Sequence, residues 1–458
     1  MRAWIATAAL LLVSAATPAQ QAAAPAPEAG KAAEAAKAEE SITDYAADTV
    51  SGDWGGLRTR LHRAGLATEF IWKLDALSNG RGGIQRGDEV VGNLDSKFRL
   101  DLDKVAGWSE TTAFLQIVGQ QGGKFNARHV GSWLGVSNIE VPDNTVKVFH
   151  GWLQKNFNDG RFSLLAGLYP IDSEFSVVDS AGFFVQPIYG ASAELALTRG
   201  PSIYNTSSFG VRAKWVSDDQ TRYAQGAVLD GIPGDPDNPR GTHVQFNKGD
   251  GSFAIAEFGW MPAERGHAFE PTQPATVPQS PAMVTHERFD TFAKYAAGAW
   301  RYTAKADDLF AVDDAGNPLR RPSWGAYLLA ERTLFRLEGN PVRRLTVFGR
   351  YSMTDGRSSP FRDAFNLGVT IRGLAANRED DHLGIAFTRG RYGSAWRDSQ
   401  TLAGVETVNS EDAIEVTYRA QISRKFYVQP LWQHIQHPGG DRTAKDADIL
   451  GLRLEFWI

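Results

Sequence analysis

From residue 66 to the end of the chain, polar and apolar side chains alternate with a period of two, broken only by turn-rich stretches. In VGNLDSKFRLDLDK, residues 91–104, Asn93, Asp95, Lys97, Arg99, Asp101 and Asp103 share one parity and Leu94, Phe98, Leu100 and Leu102 the other. EFIWKLDAL sets Glu69, Lys73 and Asp75 against Phe70, Trp72 and Leu74; SFGVRAKW sets Arg212 and Lys214 against Phe209, Val211, Ala213 and Trp215. The closing DILGLRLEFWI puts Leu450, Leu452, Leu454, Phe456 and Ile458 on one side, opposite Gly451, Arg453 and Glu455. A period of two is the repeat of an extended strand with one wet and one apolar face. About sixteen such segments are countable by this criterion. They centre near residues 72, 97, 116, 151, 165, 210, 226, 256, 297, 328, 348, 369, 385, 416, 430 and 452.

The links between segments are ordered by length. Odd-numbered links are long, at 78–90, 122–144, 170–203, 231–251, 304–322, 354–364 and 390–411, and most even-numbered ones are short, such as NDG at 158–160, SDDQ at 217–220 and SRK at 423–425. The stretch 261–290 is the exception, an insertion where a short turn is due. Long loops on one rim and short turns on the other are the signature of a barrel threaded through an outer membrane. A soluble sandwich alternates equally well. Three features favour the barrel: one array without a domain break, an export signal, and Trp72, Trp215, Trp300, Trp324, Trp432 and Trp457 at strand ends, where interfacial girdles sit. The predicted fold is an all-β, 16-stranded antiparallel transmembrane β-barrel over 66–458, with a short N-terminal periplasmic helix and one inward-folded loop.

Residues 1–19 read as a secretory signal peptide: Arg2, an apolar run to Val13, then Thr17 and Ala19 before the cleavage point. Residues 20–50, rich in Ala, Pro and Glu, read as a solvated linker. In residues 51–65, GDWGGLRTRLHRAG predicts a helix capped by Asp53 and ended by Gly65, with Leu57, Leu61 and Ala64 on a packing face and Arg58, Arg60 and Arg63 wet. We read it as a periplasmic plug that hands the chain to the first strand at Leu66.

Composition excludes several functions. The formal charge of −5 gives no basic footprint for nucleic acid, and the absence of cysteine removes disulfides, thiolate metal sites and cysteine nucleophiles. No H-E-x-x-H, G-x-S-x-G or P-loop spacing occurs among the nine histidines and their surroundings, so no metal, cofactor or catalytic set is assigned. His434 and His437 flank a strand end, and His150 and His382 read as ordinary polar wall residues. An outer-membrane hydrolase would need a nucleophile, base and orienting group, and no such trio stands out. A soluble exported protein that binds glycans is the alternative of a third class, decided by membrane fractionation.

The informative constellation is distributed over the wet faces. Glu69, Lys73, Asp95, Arg99, Asp101, Arg212, Glu257, Arg350, Glu415, Arg419 and Arg453 mix both signs. A pore for anions would favour cations and the converse, whereas a mixed wall offers hydrogen-bond donors and acceptors to a neutral polyol. The third long loop carries Phe175, Phe183, Phe184, Ile188, Tyr189 and Leu195 and is too apolar to hang in water. Folded into the lumen, it would bring Asp172, Glu174, Glu194 and Arg199 to a constriction.

SGDWGGLRTRLHRAGL near the mature N-terminus, GSFAIAEFGW at 251–260, AIEVTYRAQISRKFYVQPLWQHIQHPGG at 413–440 and the closing ILGLRLEFWI resemble the OprB family of carbohydrate-selective porins. The family's usual Asn before the last Pro-Gly-Gly is His437 here. The resemblance implies a 16-stranded barrel in the Gram-negative outer membrane that passes glucose and other sugars by diffusion, without a cofactor and without catalysis. Its partners would be monosaccharides, small oligosaccharides and outer-membrane lipid, and a homotrimer is an assembly open to it. The alternative from the same architecture is a general or organic-acid and anion-selective channel.

Overall fold

The computed structural model describes residues 42–262, 293–337 and 340–458. Sixteen antiparallel strands close into one barrel. The first nine are β1 (Leu66–Arg81), β2 (Gly87–Asp101), β3 (Thr111–Gly122), β4 (Thr145–Phe157), β5 (Phe162–Tyr169), β6 (Ser208–Val216), β7 (Arg222–Asp230), β8 (Ser252–Trp260) and β9 (Ala293–Tyr302). A separate hairpin, β10 (Ala306–Val312) and β11 (Pro318–Arg321), follows. The wall resumes with β12 (Trp324–Leu337), β13 (Asn340–Thr354), β14 (Phe361–Arg372), β15 (His382–Tyr392), β16 (Ser410–Ser423), β17 (Phe426–Gln436) and β18 (Ala447–Trp457). Each of the sixteen expected centres falls inside one wall strand. β18 pairs with β1, from Ile71 opposite Trp457 to Asn79 opposite Ile449, so the ladder has no free edge.

The faces are inverted relative to a soluble protein, which decides between barrel and sandwich. Leu328 and Leu450 on the outer face are 61% and 64% exposed, whereas Asp75, Arg212 and Glu415 on the inner face are 0%, 1% and 0% exposed. An apolar belt turned outward is stable against lipid and not against water. No helix among the described residues is long and apolar enough to cross a membrane. Trp215 and Trp324 lie on the outer face as girdle residues should, joined by Trp260 stacked on Tyr295. Trp300 and Trp457 do not: both sit on inward positions and are buried, Trp300 against Phe253 and Trp457 against Tyr427.

Three loop expectations change. The first link is short because β1 and β2 stay paired out to Asn79 opposite Gly87, leaving only 82–86 as the turn. Gly82 makes that turn at φ 65°, and a Cβ there would lie 2.0 Å from the Asp446 carbonyl oxygen. The fifth long link, 304–322, contains the β10–β11 hairpin, whose strands ADDLFAV and PLRR carry no period-two alternation. Two loops fold inward rather than one, 123–144 as well as 170–207. The leader and most of the 261–290 stretch lie outside the described residues.

The N-terminal segment packs differently from the amphipathic plan. The end of the stretch read as linker is folded: Tyr45–Asp48 is a helical turn with Tyr45 buried, and the Val50 amide donates to the Trp457 carbonyl at 2.7 Å. The following helix spans Leu57–Arg63, with Gly65 at its C′ end. Its N-cap position is Gly56 rather than the expected Asp53, which lies three residues earlier and reaches the first turn by accepting from the Thr59 amide and hydroxyl at 2.8 Å each. Leu57 is 41% exposed, and the buried residue is Arg58, at 1%. Its guanidinium donates to the Ile458 and Thr68 carbonyl oxygens at 3.0 Å each and to the Thr49 hydroxyl at 3.1 Å, and lies 4.2 Å from the Tyr45 ring centroid. An arginine can be buried where five donors find acceptors and its planar face finds a ring.

Candidate functional site

The barrel interior is divided by its two inward loops. The third loop runs through short helical turns at Ile171–Ser173, Asp179–Ala181 and Pro187–Tyr189 and a helix at Ala193–Ala196. It buries Phe175, Phe184, Ile188, Tyr189 and Leu195 in one cluster with Tyr327, Leu329, Phe348 and Ala386 of the wall. Phe184 meets Tyr189 and Phe348 at ring-centroid distances of 4.8 and 5.8 Å. The wall makes room for it: a Cβ on Gly384 would lie 2.2 Å from the Phe183 ring.

Charged side chains on the wall hold the loop's backbone. Glu415 accepts from the Val185 and Gln186 amides at 2.8 Å each, and Glu331 from the Asp179 and Ser180 amides at 3.0 and 2.8 Å. Glu257 accepts from the Ser176 amide at 2.8 Å and from the Tyr223 and Tyr327 hydroxyls at 2.8 and 2.7 Å. Arg350 donates to the carbonyls of Ser176, Ile188 and Gly190 at 2.9, 2.5 and 2.6 Å. Glu174 on the loop accepts from the Tyr169 hydroxyl and forks with Arg212 at 2.8 and 3.2 Å. Each such charge-assisted bond contributes roughly 1.5–3 kcal/mol, and losing one partner strands a buried charge.

The second loop is held the same way. Glu411 accepts from the Ser132 hydroxyl and the Trp133 and Leu134 amides, Asp75 from the Ser137 hydroxyl at 2.6 Å, and Arg453 donates to Asn138 Oδ1 at 2.7 Å. The two loops also join each other, through the Asn138 amide on the Val185 carbonyl at 2.8 Å and Gln186 Nε2 on the Gly135 carbonyl at 3.0 Å. Burial pushes the carboxyl of Glu140 on the second loop up to about 7, and that of Asp172 on the third up to about 6.

The remaining inner wall is polar. Lys97 donates to Glu69 at 2.9 Å, and Lys73 lies 3.7 Å from Asp95 and 3.8 Å from Glu455. Gln116 Nε2 donates to Asp95 at 2.9 Å. Above this ladder Tyr204 donates to Asn93 at 2.9 Å and accepts from Gln120 at 2.7 Å.

A closed barrel with a loop-divided, ion-paired lumen describes a pore, and the sequence family agrees: the model described as "Carbohydrate-selective porin, OprB family" matches residues 85–457. The chain belongs to this family. Porin B of Pseudomonas aeruginosa is 22% identical to this porin over 439 residues, 88% of this chain and 90% of that one. The high-pH structure of Pseudomonas putida OprB has a TM-score of 0.76 at 18% identity, covering 90% of this chain and 99% of that one. Its low-pH structure has a TM-score of 0.56 at 14% identity, covering 91% and 100%. These two likenesses show the shared fold. This porin is an outer-membrane sugar channel of the Gram-negative cell envelope.

The structure separates the sequence-predicted path residues of the porin into groups. Glu69, Lys73 and Asp95 form the paired ladder, and Arg99 sits opposite Ala67 on the same inward parity. Arg419 points inward with its guanidinium 3.6 Å from the Tyr427 ring centroid. Glu174, Arg212, Glu257, Arg350 and Glu415 hold the third loop, as described, and Arg453 forks with Asp75 at 2.7 and 2.8 Å. Asp172 accepts from the Tyr204 amide at 3.0 Å. Two lie off the path. Asp101 caps the short helix Leu102–Ala106 at the periplasmic rim, because strand β2 ends there, and Arg199 donates to the Gly249 and Asp250 carbonyls, tying the third loop to the fourth.

Sequence reasoning missed Glu331 and Lys294 as loop anchors; Lys294 donates to the Val177 carbonyl at 2.7 Å and pairs with Asp179 at 3.1 Å. A signal was present. Tyr327 and Leu329, four and two residues before Glu331, are apolar on the inward parity, which a wall facing open water would not carry.

Proposed function

We propose that this porin passes small neutral sugars, glucose among them, by diffusion down their gradient, with no chemical step. The observation that carries this reading is the ladder Glu69, Lys97, Asp95, Lys73 and Glu455, in which two ammonium groups pair with three carboxylates along the inner wall and leave only one net negative charge. A paired wall exerts little net field on an ion, yet keeps carboxylate lone pairs and ammonium protons within reach of sugar hydroxyls. Asn93, Gln116 and Gln120 add neutral donors and acceptors beside it. Monosaccharides and short oligosaccharides are the solutes that such a track suits. The loops, wall and ladder belong to one barrel, so a homotrimer would multiply channels rather than build one.

The test is sugar-dependent block of ion current in planar bilayers. Glucose titrated into the bath reduces the conductance of the wild-type channel saturably, and Lys73→Met with Asp95→Leu weakens that block several-fold. A conductance unaffected by glucose, with strong selectivity for one ion sign, would favour the anion-channel alternative.

A further inference from the structure

Across five consecutive strands, β12 to β16, basic side chains stand directly opposite one another. Arg336 faces Arg344, Arg344 faces Arg372, Arg372 faces His382, and His382 faces Arg419. Register partners in an antiparallel ladder are roughly 4.5–5.5 Å apart at Cα, and like charges placed so, as Arg336, Arg344 and Arg372 are, are destabilising. Arg344 and Arg372 are buried on the inner face, and Arg419 shares the inward parity of Glu415. The row starts where the constriction ends: Phe183 at the tip of the third loop is 6.0 Å from the His382 ring, and its carbonyl accepts from Gln429. It leads to the periplasmic rim, because Arg372 closes β14 and His382 opens β15 across the turn 373–381.

These guanidinium groups differ from the loop-holding ones. Arg212 and Arg453 fork onto carboxylates, and Arg350 saturates on three carbonyls. Arg372 donates through Nη2 to Asp380 at 2.8 Å and through Nε to the Glu379 carbonyl at 3.2 Å, and its buried Nη1 has no hydrogen-bond partner. Arg419 makes no ion pair among the described residues; it lies on the inward parity with its guanidinium 3.6 Å from the Tyr427 ring centroid. A planar guanidinium edge is matched to a carboxylate, which can take two of its N–H groups at once.

We propose that this row is a track for the carboxylate of acidic sugars, aldonates and uronates, at the exit below the third loop, so that the porin carries sugar acids as well as neutral sugars. The inference rests on the channel reading above. A polyol carboxylate offers the hydroxyls that the paired ladder takes and the single negative charge that Arg372 and Arg419 hold next, and the low-dielectric walls of a narrow lumen focus that attraction.

The experiment is flux of gluconate and of glucose into proteoliposomes carrying the full-length porin, read as the ratio of the two. Arg372→Gln with Arg419→Gln is expected to lower the gluconate-to-glucose ratio several-fold and to shift the reversal potential in a KCl gradient toward cation selectivity. Arg372→Lys with Arg419→Lys, which keeps both charges, is expected to retain most of the ratio. Heat-modifiable migration verifies assembly, and the single variants carry the comparison if the double variant fails to insert. An unchanged ratio and reversal potential in an assembled Gln variant overturns the proposal while leaving the sugar channel intact. Absence of glucose flux through the wild-type porin would instead sink the channel reading.

Discussion

At the scale of single residues, Arg58 shows how much one side chain can organise. It joins the N-terminal segment through Thr49, the first strand through Thr68 and the last residue through the Ile458 carbonyl. It therefore clamps the seam where β18 meets β1. Arg58→Ala leaves those acceptors buried and unpaired, and is expected to destabilise the assembled barrel by about 3 kcal/mol. Urea titration followed by heat-modifiable migration reads this; a midpoint equal to wild type would refute it. His437 is a smaller case. It occupies the left-handed region at φ 51° and ψ 55°, which Asn adopts with less strain, so His437→Asn is expected to leave the barrel as stable or slightly more stable in the same titration.

At the scale of elements, the two inward loops depend on wall carboxylates. Glu331→Gln with Glu415→Gln weakens four amide contacts to the third loop and is expected to raise open-channel noise and admit larger sugars. Bilayer recordings with sugars of graded size read both effects, and quiet channels with unchanged size dependence would show that the apolar cluster alone holds the loop. Docking of the second loop also depends on pH. The Glu140 carboxyl is pushed above its ordinary value of 4.5 to about 7 by burial, so the docked loop binds the proton more tightly than the undocked one. Its stabilisation is fully present below about 4.5 and declines as pH rises through 7. Asp172 acts with the same sign between 3.8 and about 6. Amide exchange across 123–144 is expected to be slower at pH 5 than at pH 8, and Glu140→Gln should flatten the difference. Equal protection at both pH values in the wild type would contradict this.

How far these elements were legible depends on whether their signal was local. The wall strands were readable because lipid on one side and a polar interior on the other enforce alternation residue by residue, as in Asp95, Lys97 and Arg99 against Leu94 and Phe98. The third loop was readable because Phe175, Phe184 and Ile188 cannot stay in water. The second was not, since its apolar residues, Phe125, Val130, Leu134, Val136 and Ile139, are spaced among glycines and polar residues that read as an ordinary surface loop. Roles that depend on what an inward side chain meets were the least legible. Glu257, Arg350 and Glu415 look like lumen charges in sequence, and only the path of a distant loop shows that they bond its backbone.

The whole molecule is a closed wall whose interior is divided between structure and passage. One part is filled by two loops fixed by buried charges; the rest keeps a largely paired ladder of carboxylates and ammonium groups for sugar hydroxyls. The most direct test of that claim is liposome swelling with sugars of rising size. Glucose and other monosaccharides are expected to swell the porin-bearing vesicles well above protein-free ones, with the rate falling steeply as oligosaccharide length increases. Swelling no faster than empty vesicles for every sugar would contradict it.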